Sequence, residues 1–318
     1  MTNIATTTIQ DKVTEIFVKV DDFCNEFELE FKKQSLPCSN ATKKRNRKAT
    51  LSDSEIITIL IAFHGGQFRN FKHFYCQYVC VHLRDCFPNV VSYNRFIELS
   101  HRSAVAFMLF LHYGCRGECT GISFIDSTVL RVCHAKRIKR NKVFKDMAKV
   151  GKSTVGWFFG FKLHLIINDK GEILSFYLSQ GNTSDNNVKL ITKMTKEIFG
   201  KVFGDKGYIN KALADLLFGD GIQLITAVRR NMKQKALSNE EKLLLRKRSV
   251  IETVNDELKN ICQVEHTRHR SVAGFILNVM GAIAAYSFFP KKPSIKKDIE
   301  ETNPIIIAQL NQPKLIAA

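Results

Sequence analysis

Three acidic residues occupy positions that point to chemistry rather than to ordinary surface charge. Asp126 interrupts the apolar run of residues 122–128 (ISFIDST), where a charge is costly unless it is solvated, paired or bound to a metal. Asp205 follows a second short apolar stretch and precedes Gly207, which lets the backbone turn sharply at the end of a strand. Glu252 lies in a predicted helix (LRKRSVIETVNDELKN). Their types and positions make them candidates for one shared site.

The three carboxylates are predicted to bind metal together. Asp126, Asp205 and Glu252 would repel one another and resist ionisation unless a divalent cation lay between them. Oxygen ligands suit Mg²⁺, with Mn²⁺ as a substitute, and two ions about 3.5–4 Å apart can activate an attacking oxygen and stabilise a leaving oxygen in phosphodiester chemistry. Arg248 lies one helical turn before Glu252 and Lys259 two turns after it, so both can hold nucleic acid phosphates near the metals.

Each acid also has an ordinary interpretation. Asp126 could be a capped carboxylate at a strand end, Asp205 a turn residue favoured before glycine, and Glu252 half of a helical ion pair with Arg248. Asp256 is an alternative third ligand, because it lies one turn from Glu252 on nearly the same face. The joint occurrence of the three acids on successive elements of one fold favours the catalytic interpretation.

The elements that would position these residues follow the order β-β-β-α-β-α-β-α. Short apolar runs and turn signals predict the strands, and apolar spacing predicts the helices. The predicted strands are 122–128, 158–167, 173–178, 202–203 and 222–228, and the predicted helices are 187–199, 211–218, 239–260 and 272–288. Three antiparallel strands extended by parallel strands predict an α/β fold, a ribonuclease H-like mixed sheet with flanking helices.

An all-α region is predicted before this sheet. We expect a helical, DNA-binding domain over residues 1–118, the catalytic domain over 119–290 and a basic tail over 291–318. A helix is predicted to begin at Ser52, because Ser52 and Glu55 have the spacing of a capping box, and further helices are predicted over 70–81 and 92–111. A basic cluster precedes that helix and is either a DNA-binding arm or a solvated linker: Lys43, Lys44, Arg45, Arg47 and Lys48.

Charge supports a polyanionic partner. The chain has 318 residues and a net charge of +18, far more than solubility requires, which favours nucleic acid over an anionic membrane surface. The segment after the Asp126 strand is strongly basic and should contact DNA phosphates; the residues assigned to this contact are Arg131, Lys136, Arg137, Lys139, Arg140 and Lys142. Trp157 borders this segment and is predicted in the core, with base stacking as the alternative. His164 is predicted to be packed or exposed rather than catalytic.

No membrane association is expected. The N-terminal residues lack the basic-then-apolar order of a secretory signal, so we expect a cytoplasmic protein. The apolar run of residues 273–289 is shorter than a bilayer span and contains Asn278, which favours a buried helix.

These motifs together resemble the insertion-sequence transposases of the DDE class, most closely the bacterial insertion-sequence group nine-eighty-two. The resemblance covers about residues 49–289 and depends on Asp126 in FIDST, Asp205 in GDKGY, and the helix bearing Arg248, Glu252 and Lys259. In related transposases that helix carries Tyr, two residues, Arg, three residues, Glu, six residues and Lys. Here Leu245 stands at the tyrosine position. The segment 181–185 (GNTSD) also resembles a loop of these enzymes.

The resemblance implies a reaction and its partners. Metal-activated water would cleave the ends of a mobile element at its terminal inverted repeats, and the freed 3′ hydroxyls would attack target DNA. Pairing of two ends implies a homodimer on DNA. The resemblance also implies that the protein is found at the nucleoid of a bacterial cytoplasm. Two alternatives stay open: a ribonuclease H-like endonuclease or resolvase that does not join strands, and a catalytically inactive DNA-binding regulator.

Overall fold

The computed structural model describes residues 9–34, 49–66, 68–154, 156–227, 232, 236–265 and 269–295. The basic cluster Lys43, Lys44, Arg45, Arg47 and Lys48 lies outside the described residues, as does the tail beyond residue 295.

The first part of the chain is all helical, as predicted. The elements of this region are α1 (Ile9–Gln34), α2 (Asp53–Gly65), α3 (Phe71–His73), a π-helical segment (Phe74–Val79), α4 (Cys80–His82), α5 (Tyr93–Arg102) and α6 (Ala104–Gly114). Ser52 starts α2 through a capping box, in which its hydroxyl accepts from the Glu55 N–H at 3.0 Å and the Glu55 carboxylate accepts from the Ser52 N–H at 2.7 Å. Gly66 ends the same helix.

Two helices predicted as continuous are interrupted. The predicted helix 70–81 contains six residues of π-helix in its middle, within a cluster of packed aromatic rings. The predicted helix 92–111 divides into α5 and α6 at Ser103, whose hydroxyl donates to Asp53 of α2 at 2.8 Å. Tertiary contacts, which apolar spacing does not encode, set both interruptions.

The sheet has six strands: β1 (Ile122–Cys133), β2 (Lys149–Ser153), β3 (Gly156–Asn168), β4 (Ile173–Gln180), β5 (Gly200–Gly204) and β6 (Ile222–Thr226). Strand β1 pairs antiparallel with β3 and parallel with β5, β4 pairs antiparallel with β3, and β6 pairs parallel with β5. These five strands have the predicted topology, and the path β4-β3-β1-β5-β6 is therefore the ribonuclease H-like mixed sheet. Strand β2, which the sequence did not predict, pairs antiparallel with β3.

The basic segment after β1 has more structure than predicted. Strand β1 continues to Cys133, so Arg131 belongs to the strand, and a 3₁₀ helix follows over Ala135–Arg140. Strand β2 then forms a hairpin with the first half of β3. The buried side chains of Phe144 and Ala148 anchor the segment in the core.

Helices cover both faces of the sheet. They are α7 (Val188–Met194), α8 (Lys211–Gly219), α9 (Asn239–Lys247), α10 (Ser249–Asn260) and α11 (Val272–Ser287). The helix predicted over 239–260 is thus two helices that meet at Arg248, where the Ile251 N–H bonds the Arg248 carbonyl oxygen three residues earlier. This tighter turn separates α9 from α10.

Two apolar clusters hold these layers together. The larger joins the N-terminal helices, one face of the sheet, α10 and α11, and the smaller lies on the other face under α7 and α8. The apolar run of residues 273–289 forms α11, which is buried as predicted and packs on α2. Among the described residues, no helix is long and apolar enough to cross a membrane.

Candidate active site

Strand pairing brings the first two carboxylates together. The parallel register pairs Phe124 of β1 with Phe203 of β5, so two residues further along each chain Asp126 and Asp205 are at the same level. Strand β1 continues past the end of β5, which leaves both acids at the carboxyl end of the parallel pair. Ligands bind at such edges in open α/β sheets.

Asp205 is held by the turn that follows it. Its carboxylate Oδ1 accepts the Gly207 N–H at 2.8 Å and caps the 3₁₀ helix of residues 206–208. A Cβ on Gly207 would lie 2.9 Å from the same oxygen, so a side chain there would push the carboxylate away. The glycine identified in the sequence therefore serves the position of Asp205.

Helix α10 provides the third acid and a contact that sequence analysis missed. Glu252 Oε1 accepts from Arg248 Nη2 at 2.7 Å, and Asn255 Nδ2 donates to Asp126 Oδ2 at 3.0 Å. Asn255 lies three residues after Glu252, so helical spacing could have indicated a polar residue near the site. The contact from Asn255 ties α10 directly to β1.

Electrostatics couple the three carboxylates. Burial raises the pKa of Asp126 to about 6; the Ser127 N–H and Arg248 oppose the rise, and Asp205 and Glu252 add to it. The two neighbouring negative charges therefore make ionisation of Asp126 harder.

The donor set of these residues fits a hard divalent cation. All the candidate donors are carboxylate oxygens, which Mg²⁺ and Mn²⁺ prefer, and their mutual repulsion favours a cation among them. Within the described ranges, no group of three or more His, Cys, Asp or Glu side chains is arranged to hold a metal ion. Glu252 is instead bound to Arg248, the ordinary pairing considered from the sequence.

A second polar network, not predicted in this role, adjoins the site. The Ser127 hydroxyl and Lys162 Nζ both donate to Asp185 Oδ1, at 2.6 and 2.9 Å. Asp185 is the last residue of the segment 181–185 (GNTSD), for which the sequence predicted no role. Burial, followed by the carboxylates of Asp126, Asp185 and Asp205, raises the pKa of the nearby Tyr208 hydroxyl far above its usual value.

The basic residues predicted near DNA form an exposed array on the segment after β1. Arg131 lies near the end of β1, four of the residues lie on the 3₁₀ helix, and Lys142 follows that helix. All six side chains are exposed: Arg131, Lys136, Arg137, Lys139, Arg140 and Lys142. Lys259 lies further along α10 and contacts Glu265 Oε2 at 3.7 Å.

The structure also gives the positions of Trp157, His164 and Leu245. Trp157 is 69% exposed on β3, so the prediction that it packs in the core was wrong; Lys152 Nζ lies 5.7 Å from its ring centroid. His164 is buried, and its Nε2 lies 2.8 Å from the Ser179 hydroxyl. Leu245, at the tyrosine position of related transposases, is partly buried in α9 against the larger apolar cluster.

A family model matches part of this chain, and solved structures are similar to it. No curated protein matches the chain. Among solved structures, a piggyBac transposase synaptic complex with hairpin DNA is similar at a TM-score of 0.44 and 12% identity, covering 95% of this chain and 80% of that chain. The Mos1 strand transfer complex is similar at a TM-score of 0.24 and 10% identity, covering 89% and 98%. Residues 116–272, which carry all three carboxylates, match the family model described as Transposase DDE domain.

Proposed function

We propose that this chain is a DNA transposase that cleaves the ends of a mobile element and joins the 3′ hydroxyls to target DNA. The observation that carries the proposal is the position of Asp126 and Asp205 at the carboxyl ends of the paired strands β1 and β5, with α10 joined to Asp126 through Asn255, inside the segment that matches a transposase DDE domain. The assignment to insertion-sequence group nine-eighty-two and to a bacterial nucleoid belongs to the same proposal.

Asp126, Asp205 and Glu252 are the proposed metal ligands. Two divalent cations, Mg²⁺ or Mn²⁺, would supply activation of the attacking oxygen and stabilisation of the leaving oxygen. Asn255 orients Asp126 through its amide, and Gly207 fixes the Asp205 carboxylate. Both contacts are present before substrate binds. The two carboxylates therefore need no reorientation during the reaction, and no free energy is spent on it.

Arg248 is proposed to exchange one partner for another when DNA binds. In the structure its guanidinium pairs with Glu252, and the Glu252 side chain is 56% exposed. The Arg248 side chain is 21% exposed, so the pair is partly buried, and a DNA phosphate, which accepts bidentate hydrogen bonds from a guanidinium, would compete with the carboxylate as partner of Arg248. Glu252 is then free to turn toward Asp126 and Asp205.

DNA is proposed to cross the exposed basic array that follows β1. The helical region of residues 1–118 is proposed to contribute further DNA contacts, and two chains are proposed to pair two element ends that carry terminal inverted repeats. Lys259 is proposed to hold a phosphate beyond Glu252 along α10.

The test uses labelled DNA that carries the sequences flanking the reading frame. Wild-type protein with Mg²⁺ or Mn²⁺ should nick this DNA and yield joined products. Glu252→Gln should reduce both by more than the roughly 10–100-fold that loss of an outer-shell metal partner costs. Asp256→Asn is the matched control, because Asp256 is exposed one turn away on nearly the same face.

The outcomes separate the competing functions. Nicking without joining identifies an endonuclease or resolvase. Tight binding with no metal-dependent cleavage identifies an inactive DNA-binding regulator. Loss of activity in Asp256→Asn with retention in Glu252→Gln moves the third ligand to Asp256.

A further inference from the structure

An open pocket of about 220 Å³ lies where the N-terminal helical region meets the carboxyl end of α10. We call it the Arg69 pocket; its lining residues are Arg69, Lys259, Asn260, Gln263 and Glu265. Arg69 precedes α3 and lies outside the segment that matches the transposase DDE domain, whereas the other four lie within it. The pocket is therefore built by two separate parts of the chain.

The lining is rich in hydrogen-bond donors. Arg69 and Lys259 are cations, and Asn260 and Gln263 provide amides, against the single carboxylate of Glu265. Arg69 is exposed and makes no ion pair with any described residue. A guanidinium directed to an open pocket beside an ammonium is suited to a bidentate contact with a phosphate.

Glu265 does not neutralise this pocket strongly. Lys259 Nζ lies 3.7 Å from Glu265 Oε2, which is beyond hydrogen-bonding distance, so the ion pair is loose. The other oxygen of Glu265 accepts the Arg131 N–H at 3.0 Å, which anchors the carboxylate to β1. Lys259 can therefore exchange Glu265 for an incoming anion while Glu265 stays in place.

The loop that forms the floor of the pocket is fixed in a costly conformation. Gln263 has φ 53°, the one non-glycine residue with positive φ in the described part of the chain. Its neighbours hold it: the Cys262 carbonyl oxygen lies 2.6 Å from His64 Nδ1, and the Val264 N–H bonds the Leu258 carbonyl oxygen. Backbone strain of this kind is concentrated at binding and catalytic sites.

The position of the pocket relative to Glu252 suits a DNA strand. Lys259 is seven residues after Glu252 on the same helix, which is about 10 Å along its axis. Phosphates of one strand rise about 3.4 Å each along the axis of B-form DNA, so this distance spans about three nucleotides where the DNA axis runs along α10. A strand that follows α10 from a scissile phosphate at the carboxylates would pass the pocket.

We propose that the Arg69 pocket binds one phosphodiester of the DNA strand about three nucleotides from the scissile bond, clamped between Arg69 and Lys259. The inference rests on the proposed function and adds a residue of the helical region to the substrate site. It also gives the helical region a defined task, which is to set the path of the strand across α10.

The experiment measures binding of a labelled duplex from the element end and of an unrelated duplex of equal length, without divalent metal, over a range of salt concentrations. Wild-type protein is compared with Arg69→Gln, Lys259→Gln and the double variant. Arg84→Gln is the matched control, since Arg84 is an exposed arginine of the same helical region outside the pocket. Thermal melting followed by circular dichroism verifies that each variant folds.

We expect Arg69→Gln to weaken binding and to lower the slope of log K against log salt by about one, the value for one lost phosphate contact. The double variant should lose less affinity than the sum of the two single variants, because both side chains hold one phosphate. A loss on both duplexes assigns the pocket to any backbone phosphate, and a loss on the element end alone assigns it to the cleaved strand.

Arg69→Gln with the affinity and slope of wild-type protein overturns the inference, as does strict additivity in the double variant. Either result leaves the proposed function intact if wild-type protein still cleaves and joins DNA. Failure of wild-type protein to bind either duplex overturns both proposals together.

Discussion

The carboxylate of Asp185 binds two side chains of the sheet next to Asp126. Ser127 and Lys162 both donate to its Oδ1, and Ser127 directly follows Asp126 in β1. The Lys162 side chain is only 11% exposed, against 33% for Asp185, so the ammonium depends on this carboxylate for its compensation. The network thus fixes the strand beside the candidate ligand.

Removal of Asp185 alone should lower the free energy of unfolding more than removal of both Asp185 and Lys162. Asp185→Ala leaves Lys162 charged and nearly buried, and we expect it to lower the free energy of unfolding by about 2–3 kcal/mol. Replacing Lys162 by Met as well removes the uncompensated charge, so the double variant should be more stable than Asp185→Ala. Urea denaturation followed by circular dichroism measures each value. A double variant less stable than Asp185→Ala would show that Lys162 has another source of compensation.

Helices α2 and α11 are in close contact at Gly281. A Cβ there would lie 2.7 Å from His64 Cδ2 and 3.2 Å from the Leu60 carbonyl oxygen. His64 cannot turn away freely, because the ring is buried and its Nδ1 lies 2.6 Å from the Cys262 carbonyl oxygen. Glycine is therefore needed for contact between the helices, not for an unusual backbone conformation.

Gly281→Ala should destabilise the protein by about 1–3 kcal/mol, because overpacking at this contact outweighs the roughly 1 kcal/mol that alanine gains in helix propensity. Gly65→Ala is the control, at the end of the partner helix α2. A Cβ at Gly65 would have no atom within 4 Å. Thermal unfolding should show a lower midpoint for Gly281→Ala and an unchanged or higher midpoint for Gly65→Ala.

The elements show which features of the fold are encoded locally. The strand order and the capping box at Ser52 were predictable, since apolar runs and cap residues act over a few positions. The division at Arg248 and the π-helical segment were not, because packing between distant elements sets them. At the candidate site, Asp126 and Asp205 could be found as acids at strand positions. Asn255 could not be assigned from the sequence, because its role depends on a contact with β1.

At the scale of the whole molecule, the helical region and the sheet share one core. The larger apolar cluster runs without a break from the N-terminal helices through α11 to the face of the sheet that carries Asp126. Helix α11 comes from the end of the described chain, yet it packs on α2 from near the beginning. Neither part can bury its apolar face without the other, although the DNA-binding and catalytic tasks are proposed to be divided between them.

This shared core predicts that the chain unfolds as one unit. We expect urea denaturation to give a single transition, with the same midpoint for helical circular dichroism and for hydrogen exchange of amides in α2 and β3. The reason is that opening either part exposes the apolar face of α11 and removes the support of the other part. Gly281→Ala should move both midpoints together, because its contact joins the two parts. Separate midpoints for α2 and β3, or a shift confined to one of them, would show instead that the helical region folds independently of the sheet.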